Sequence, residues 1–195
     1  TLIIYSTTDG QTLDICKRIA EVINTKSISK IASFEDAETL NLSNYKKIII
    51  GASIRYGKHK PELYSFIREN LDTLNKIDSA FFSVNVVARK SEKNTPETNP
   101  YMKKFIKLSP WKPKDLAVFA GKIDYQSYKF IDRHMIRLIM WIGKGPTNLN
   151  GSYEFTNWQC AQYKKVEKCE VVEQQRSWQH YYTCLLYTSP SPRDS

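Results

Sequence analysis

"YSTTDGQTLD", residues 5–14, follows the apolar run Leu2-Ile3-Ile4 and leads into a stretch with Ile15, Ile19 and Val22 at helical spacing. A chain that leaves the carboxyl end of a buried strand and enters a helix presents first-turn amides with no intrahelical acceptor. Together with the positive end of the helix dipole, those amides make an anion site. Ser6, Thr7, Thr8 and Thr12 add hydroxyl donors, and Gly10 lets the backbone close tightly around a phosphate. No lysine lies in the stretch, and the spaced glycines of a dinucleotide fingerprint are missing, so neither common phosphate motif is present. What remains is a neutral, hydroxyl-lined cradle for a monophosphate, to be weighed against an ordinary capped turn. Asp9 sits awkwardly in it. A carboxylate facing a phosphate dianion would repel it, so Asp9 is expected to turn away and cap the helix.

Outward from this loop, residues 2–5, 47–51 ("KIIIG"), 80–87 ("AFFSVNVV") and 116–121 ("LAVFAG") are continuous apolar runs, the pattern of strands buried on both faces of a parallel sheet. A weaker strand at 27–32 is expected at an edge. Helical patterns fall at 12–24, at 61–74 with Pro61 in the first turn, and from about residue 157 onward. Alternating strands and helices imply a doubly wound α/β sheet. Two segments break the rhythm. Residues 88–114 are polar, basic and carry four prolines, which suggests a long basic insertion rather than a tight connection. Residues 125–144 read as a helix with Phe130, Ile131, Met135, Leu138, Ile139 and Ile142 on one side, widened by Met140 and Trp141. Its cations, Lys129, Arg133, Arg137 and Lys144, suit a helix lying in a membrane interface; the competing reading is a surface helix packed on the sheet.

The 195 residues fit one domain, with 41% hydrophobic and 25% charged residues and no apolar run long enough to cross a bilayer. Residues 1–176 are expected to form that domain. Residues 177–195 read as a non-native or disordered tail, of which 184–195, "CLLYTSPSPRDS", resembles translated sequencing-adapter read-through. Since the chain opens on Thr1 at the edge of a strand, a few native residues are expected to precede it. Cys16, Cys160, Cys169 and Cys184 match neither a redox pair nor a zinc set, so no metal is expected and the thiols read as reduced, as in the cytoplasm. Net charge is +9, and residues 89–144 hold thirteen Lys and Arg against five Asp and Glu, which places +8 there. A local positive field calls for an anionic partner: a nucleic acid, an anionic lipid surface or a substrate bearing carboxylates.

The close of the first loop, Gly10-Gln11-Thr12, resembles the FMN phosphate loop of flavodoxins, although Asp9 stands where those proteins usually carry Thr. "GASIRYG" at 51–57, "SVNVVARKSEKNTPETN" at 83–99 and "DRHMIRLIM" at 132–140, following "STTDGQT" in that order, resemble the flavodoxin-like, quinone-dependent protoporphyrinogen IX dehydrogenases of bacterial haem synthesis, over residues 1 to about 158. The resemblance implies a flavodoxin-like, doubly wound parallel five-stranded sheet of order 2-1-3-4-5 and FMN as cofactor. It further implies oxidation of protoporphyrinogen IX to protoporphyrin IX, with electrons passed to menaquinone or ubiquinone, by a cytoplasmic protein peripheral on the anionic inner-membrane surface and not bound to nucleic acid. Ser6, Thr7, Thr8, Asp9, Gly10, Gln11 and Thr12 would then surround the phosphate. Ser53, Ile54, Arg55, Tyr56, Gly57, Asn85, Val86, Val87, Ala88 and Arg89 would flank the ring, with Tyr56 as the stacking candidate. Arg89, Lys90 and Lys93, or Arg55, would meet the substrate propionates, and Lys129, Arg133, Arg137, Trp141 and Lys144 would face the membrane.

No general base declares itself. His59 and Arg55 are candidates, with a solvent-facing structural role the simpler reading for His59, and Tyr125 and Tyr128 are expected as interfacial anchors. Rival functions are a flavodoxin electron carrier or an NAD(P)H:quinone reductase and, from another class, a basic nucleic-acid-binding module. Carrier flavodoxins are typically acidic, which this chain is not. Helix-turn-helix, RNP and zinc signatures are lacking.

Overall fold

The computed structural model describes Thr1 to Trp158. Five parallel strands, β1 (Leu2–Ser6), β2 (Lys30–Ser33), β3 (Lys47–Ser53), β4 (Asp78–Val84) and β5 (Asp115–Phe119), form one sheet in the order β2-β1-β3-β4-β5. The continuous apolar runs are explained by helices on both faces. Leu2, Ile4, Ile48, Ile50 and Phe81 point to one side, beneath α2 (Phe34–Glu38), α3 (Pro61–Glu69), α4 (Leu71–Lys76) and α5 (Pro100–Leu108). Ile3, Ile49, Phe82 and Phe119 point to the other, where α1 (Gln11–Asn24) presents Ile15, Cys16 and Ala20. Each strand residue of this kind removed from water contributes about 1.5–3 kcal/mol, so both faces hold the sheet.

Segment 88–114 is not a long basic insertion. It is the crossover from β4 to β5, and its Pro100–Leu108 stretch is a helix of the covering layer, with Met102, Phe105 and nearby Trp111 fully buried against Phe81. Two of the prolines that suggested an excursion have ordinary work: Pro100 opens α5, and Pro110 stands just past its C-cap, Ser109. The helix expected over 61–74 breaks at Asn70, whose side-chain amide donates to the Phe66 carbonyl, giving α3 and α4. The edge strand lies at Lys30–Ser33, parallel to β1.

The departure from plain alternation comes later. After β5 the chain makes β6 (Lys122–Asp124), crosses α6 (Phe130–Ile142) and returns as β7 (Ser152–Glu154), antiparallel to β6. Ile123, Tyr125, Tyr128 and Met140 form a small separate core beneath this excursion. Tyr125 and Tyr128 are therefore buried, not interfacial anchors. Met140 is the buried residue of α6, whereas Phe130, Ile131, Leu138, Ile139, Trp141 and Ile142 are each more than half exposed. Among the described residues no helix is long and apolar enough to cross a membrane, and no cluster could hold a metal ion. The C-terminal helix expected from about residue 157, the tail and the three later cysteines lie outside the described residues.

Candidate flavin site

The strand order reverses between β1 and β3, and the loops after β1, β3 and β4 meet at the carboxyl edge of the sheet. In the first of them Thr7 Oγ1 accepts the Gly10 N–H at 3.0 Å, and Gly10 turns into α1 at φ 84°, a left-handed conformation that side-chain-bearing residues rarely adopt. The first-turn amides of Gln11, Thr12 and Leu13 are left without intrahelical acceptors. Thr12 is fully buried and its Oγ1 has no partner among the described residues. Native structures rarely leave a buried hydroxyl unpaired, and a phosphate oxygen beside those amides would satisfy it. The residues present thus fit a phosphate ester.

Three side chains in or near this loop do something the sequence did not show. Asp9 does not cap α1; the Gly10 N-cap has no side-chain bond. The Asp9 carboxylate instead accepts two hydrogen bonds from Arg55 Nη1, at 3.1 and 3.0 Å, and one from the Tyr128 hydroxyl at 3.2 Å. Paired in this way, its charge is offset within the loop cluster and no longer opposes an anion at full strength. Gln11 sends its side-chain amide to Glu154 and Thr156, at 3.1 and 2.7 Å, so its backbone N–H is what it offers a phosphate. Lys60 reaches back to the Thr7 carbonyl at 3.1 Å, so an ammonium stands beside a cradle whose own sequence is free of lysine.

The loop after β3 is a tight turn closed by reciprocal bonds between Arg55 and Lys58, at 3.0 and 3.1 Å. Its central residues, Tyr56 and Gly57, both have positive φ, 49° and 76°. That conformation is costly for Tyr56 and holds its half-exposed ring in place at the sheet edge. The guanidinium of Arg55 lies 5.1 Å from the Tyr56 ring centre and 4.9 Å from that of Tyr128. Its Nη2 donates to Asp132 of α6 at 3.1 Å, and the Tyr56 hydroxyl donates to the same carboxylate. The Tyr56 hydrogen bond, seconded by the Arg55 charge, holds the Asp132 carboxyl below the usual carboxylate range.

The loop after β4 is shaped from beneath. Asn85 Oδ1 accepts from the Ala88 amide and from Asn99 Nδ2, both at 3.1 Å, while Asn99 Oδ1 caps α5. Asn85 Nδ2 donates to Ser83 Oγ at 3.5 Å, and Ser83 Oγ in turn shares a hydrogen bond with His59 Nε2 at 3.1 Å. A continuous buried polar chain thus supports the loops after β3 and β4. His59 is 6% exposed and ringed by Tyr64, Phe81 and Phe105, so it is not the solvent-facing histidine that its polar neighbours suggested. Burial, then the nearby Lys104 charge, pulls its pKa down to about 4 from 6.5. The unfolded chain therefore binds the extra proton first. Stability from this group is complete above pH 6.5 and is lost as pH falls toward 4, about 3 kcal/mol in all. The urea midpoint of the wild type should fall between pH 7 and pH 4.5, and that of His59→Phe should fall less; parallel slopes would assign the acid sensitivity to other groups.

Arg89 does not present a free fork to a ligand. Its guanidinium donates to the carbonyls of Val86 at 3.3 Å and of Gly143, just past α6, at 2.6 Å. Lys90 and Lys93 are half-buried on the same loop. Lys129, Arg137, Trp141 and Lys144 are exposed on and around α6, whereas Arg133 bonds the Gln126 carbonyl. The excursion from β6 through β7 and its flank therefore touches each of the three loops: Tyr128, Glu154 and Thr156 hold the first, Asp132 the second, and Gly143 the third. Sequence reasoning missed Lys60, Asp132 and Asn99; only the capping pattern Asn99-Pro100 carried a signal for any of them.

A phosphate cradle on the first βα turn, with an aromatic turn and a second loop converging where a 2-1-3-4-5 sheet reverses its order, defines a flavin-binding protein of the flavodoxin class. Comparison with known proteins agrees: the model of the flavodoxin domain family matches residues 2–150. The chain is 41% identical over 160 residues to protoporphyrinogen IX dehydrogenase (quinone) of Escherichia coli (strain K12), covering 82% of this chain and 88% of that protein. It is 39% identical over 159 residues to the protein of that name from Leishmania major, covering 80% and 69%. A solved flavodoxin from Megasphaera elsdenii aligns at 12% identity over 60% of this chain and 83% of its own, with a TM-score of 0.45. The chain belongs to the protoporphyrinogen IX dehydrogenase (quinone) family, within the flavodoxin domain family.

Proposed function

We propose that this protein binds FMN, oxidises protoporphyrinogen IX to protoporphyrin IX and delivers the electrons to a quinone at an anionic membrane surface. The observation that carries the reading is the 41% identity to a dehydrogenase of that name, in a chain whose phosphate cradle keeps its buried, unpaired Thr12 hydroxyl. Thr12 Oγ1 and the amides of Gln11, Thr12 and Leu13 hold the phosphate, and the turns at 54–57 and 85–90 flank the ring. When bound, FMN supplies the two-electron redox chemistry. The chain's share is positioning: the Arg55 ion pairs fix the loop after β3, and the Asn85–Asn99 pair fixes the loop after β4. His59, neutral and enclosed beneath these loops, supports them and does not carry protons from the substrate.

The outward apolar side of α6 supports the membrane part of the reading. Large exposed apolar side chains cluster on one short helix, with Lys129, Arg137 and Lys144 beside them, the composition of a helix that lies in an anionic interface where a lipid-dissolved quinone is within reach. The test is direct. The purified protein should show a flavin spectrum and convert protoporphyrinogen IX to fluorescent porphyrin, faster with menaquinone or ubiquinone than without. A flavin spectrum with no porphyrin formed would overturn the substrate assignment.

A further inference from the structure

Next to the turn at 54–57, between α3 and α5, lies a cavity of about 410 Å³. Gly57, Tyr64 and Tyr101 line its walls, and Lys58, Arg68 and Lys104 bring three positive charges to it, while no carboxylate is among its lining residues. The cations have few partners of their own. Arg68 donates to Ser65 Oγ at 3.2 Å, and the ammonium groups of Lys58 and Lys104 make no hydrogen bond or ion pair among the described residues. Cations gathered around aromatic walls without a counter-charge repel one another until an anion joins them, and Arg and Lys are the usual partners of carboxylates. The walls suit an apolar, ring-bearing body and the cations suit its acidic edge.

The cavity is also joined to the candidate flavin site. Gly57 belongs to both, and a Cβ built on it would come within 3.9 Å of the Tyr101 ring, so α5 packs directly against the turn that carries Tyr56. An occupant of the cavity therefore rests against the loop that flanks the flavin. On the other loop the Arg89 fork is already bonded to Val86 and Gly143, which removes the strongest carboxylate partner from the Arg89-Lys90-Lys93 group.

We infer that this cavity receives the carboxylate-bearing edge of the tetrapyrrole, with Lys58, Arg68 and Lys104 pairing with its carboxylates. The inference rests on the tetrapyrrole reading given above and assigns the residues that would discriminate acid from ester. It also has a spectroscopic consequence, because the Lys104 charge acts on His59: a carboxylate placed beside Lys104 offsets that charge and raises the His59 pKa.

The probes are protoporphyrin IX and its dimethyl ester, which share one macrocycle and differ only at the two propionates, ionised in the first and neutral methyl esters in the second, titrated against the flavin-loaded protein by porphyrin absorbance. The wild type should bind the diacid about tenfold or more tightly than the ester, as expected for a pair of charge-assisted hydrogen bonds. Arg68→Ala/Lys104→Ala should bring the two ligands within about threefold of each other while retaining the wild-type flavin content and thermal midpoint, since both side chains are exposed. Arg68→Lys/Lys104→Arg should restore the preference, and Lys90→Ala/Lys93→Ala should leave it intact. The His59 imidazole resonance should titrate at higher pH with the diacid bound, and not with the ester. A preference that survives in Arg68→Ala/Lys104→Ala, or that disappears in Lys90→Ala/Lys93→Ala, overturns the cavity assignment alone. A wild type that binds neither porphyrin overturns the tetrapyrrole reading and the assignment with it.

Discussion

Gly10→Val is expected to weaken FMN binding by roughly 10- to 100-fold, read by titrating the stripped protein with FMN and following flavin fluorescence. The reason is backbone strain. An added Cβ at residue 10 would meet nothing within 4 Å, so the turn has room for a side chain, but φ is 84°. Holding an L-residue in that left-handed conformation costs about 1–3 kcal/mol, most for a β-branched side chain, and each 1.4 kcal/mol is tenfold in affinity. The loop would relieve the strain by letting residue 10 swing toward negative φ. That swing breaks the N–H bond to Thr7 Oγ1 and turns the first amides of α1 away from a common point. Strain also predicts an order: Asn, which tolerates the left-handed region, should lose least, Ala more and Val most. Equal losses for Asn and Val would show that contact with the ligand, not φ, decides the effect.

How far the sequence revealed this site depends on how local each cause is. The sheet and its three loops were legible because continuous apolar runs and a hydroxyl-rich turn are written within a few neighbouring residues. Asp9 was not, because its behaviour is set by Arg55, in the loop after another strand, and by Tyr128, 119 residues away. Judged on adjacent residues alone it had only the helix end to pair with. His59 misled for a related reason: Lys58 and Lys60, which flank it, are exposed charged residues, while the ring itself turns under the loop to Ser83. In the crossover 88–114, the four prolines and the lysines around α5 mask its short apolar pattern, of which only Met102 and Phe105 are buried, so the segment resembles a polar loop. The β6–β7 pair, three residues on each side, is too short to show any period. The apolar side of α6 was readable, yet its exposure was not, because periodicity reports that a helix has an apolar face and says nothing of what covers it.

That exposure sets up the second large effect. Replacing Ile131, Leu138 and Trp141 together by serine should reduce binding to vesicles rich in anionic lipid by about a thousandfold, measured by cosedimentation. These side chains are 72%, 55% and 70% exposed, so they contribute little to the folded chain and the thermal midpoint should stay close to that of the wild type. Entering an interface, each would remove apolar surface from water worth about 1.5–3 kcal/mol when fully buried. Partial burial of all three still gives about 4 kcal/mol, or three orders of magnitude. Neutralising Lys129, Arg137 and Lys144 should cost about 1 kcal/mol per charge and should make the remaining binding insensitive to salt, which separates the apolar from the electrostatic share. A wild type that ignores vesicles but dimerises, with dimerisation abolished by the triple serine variant, would assign the face to a second copy of the chain instead. Flavin content decides whether the comparison is clean. Asp132 on the same helix holds Arg55 and Tyr56, and Gly143 at its end holds Arg89, so a variant that merely displaced α6 would disturb the loops after β3 and β4 and lose flavin as well. Loss of vesicle binding with full flavin occupancy is the result that a membrane-facing helix requires.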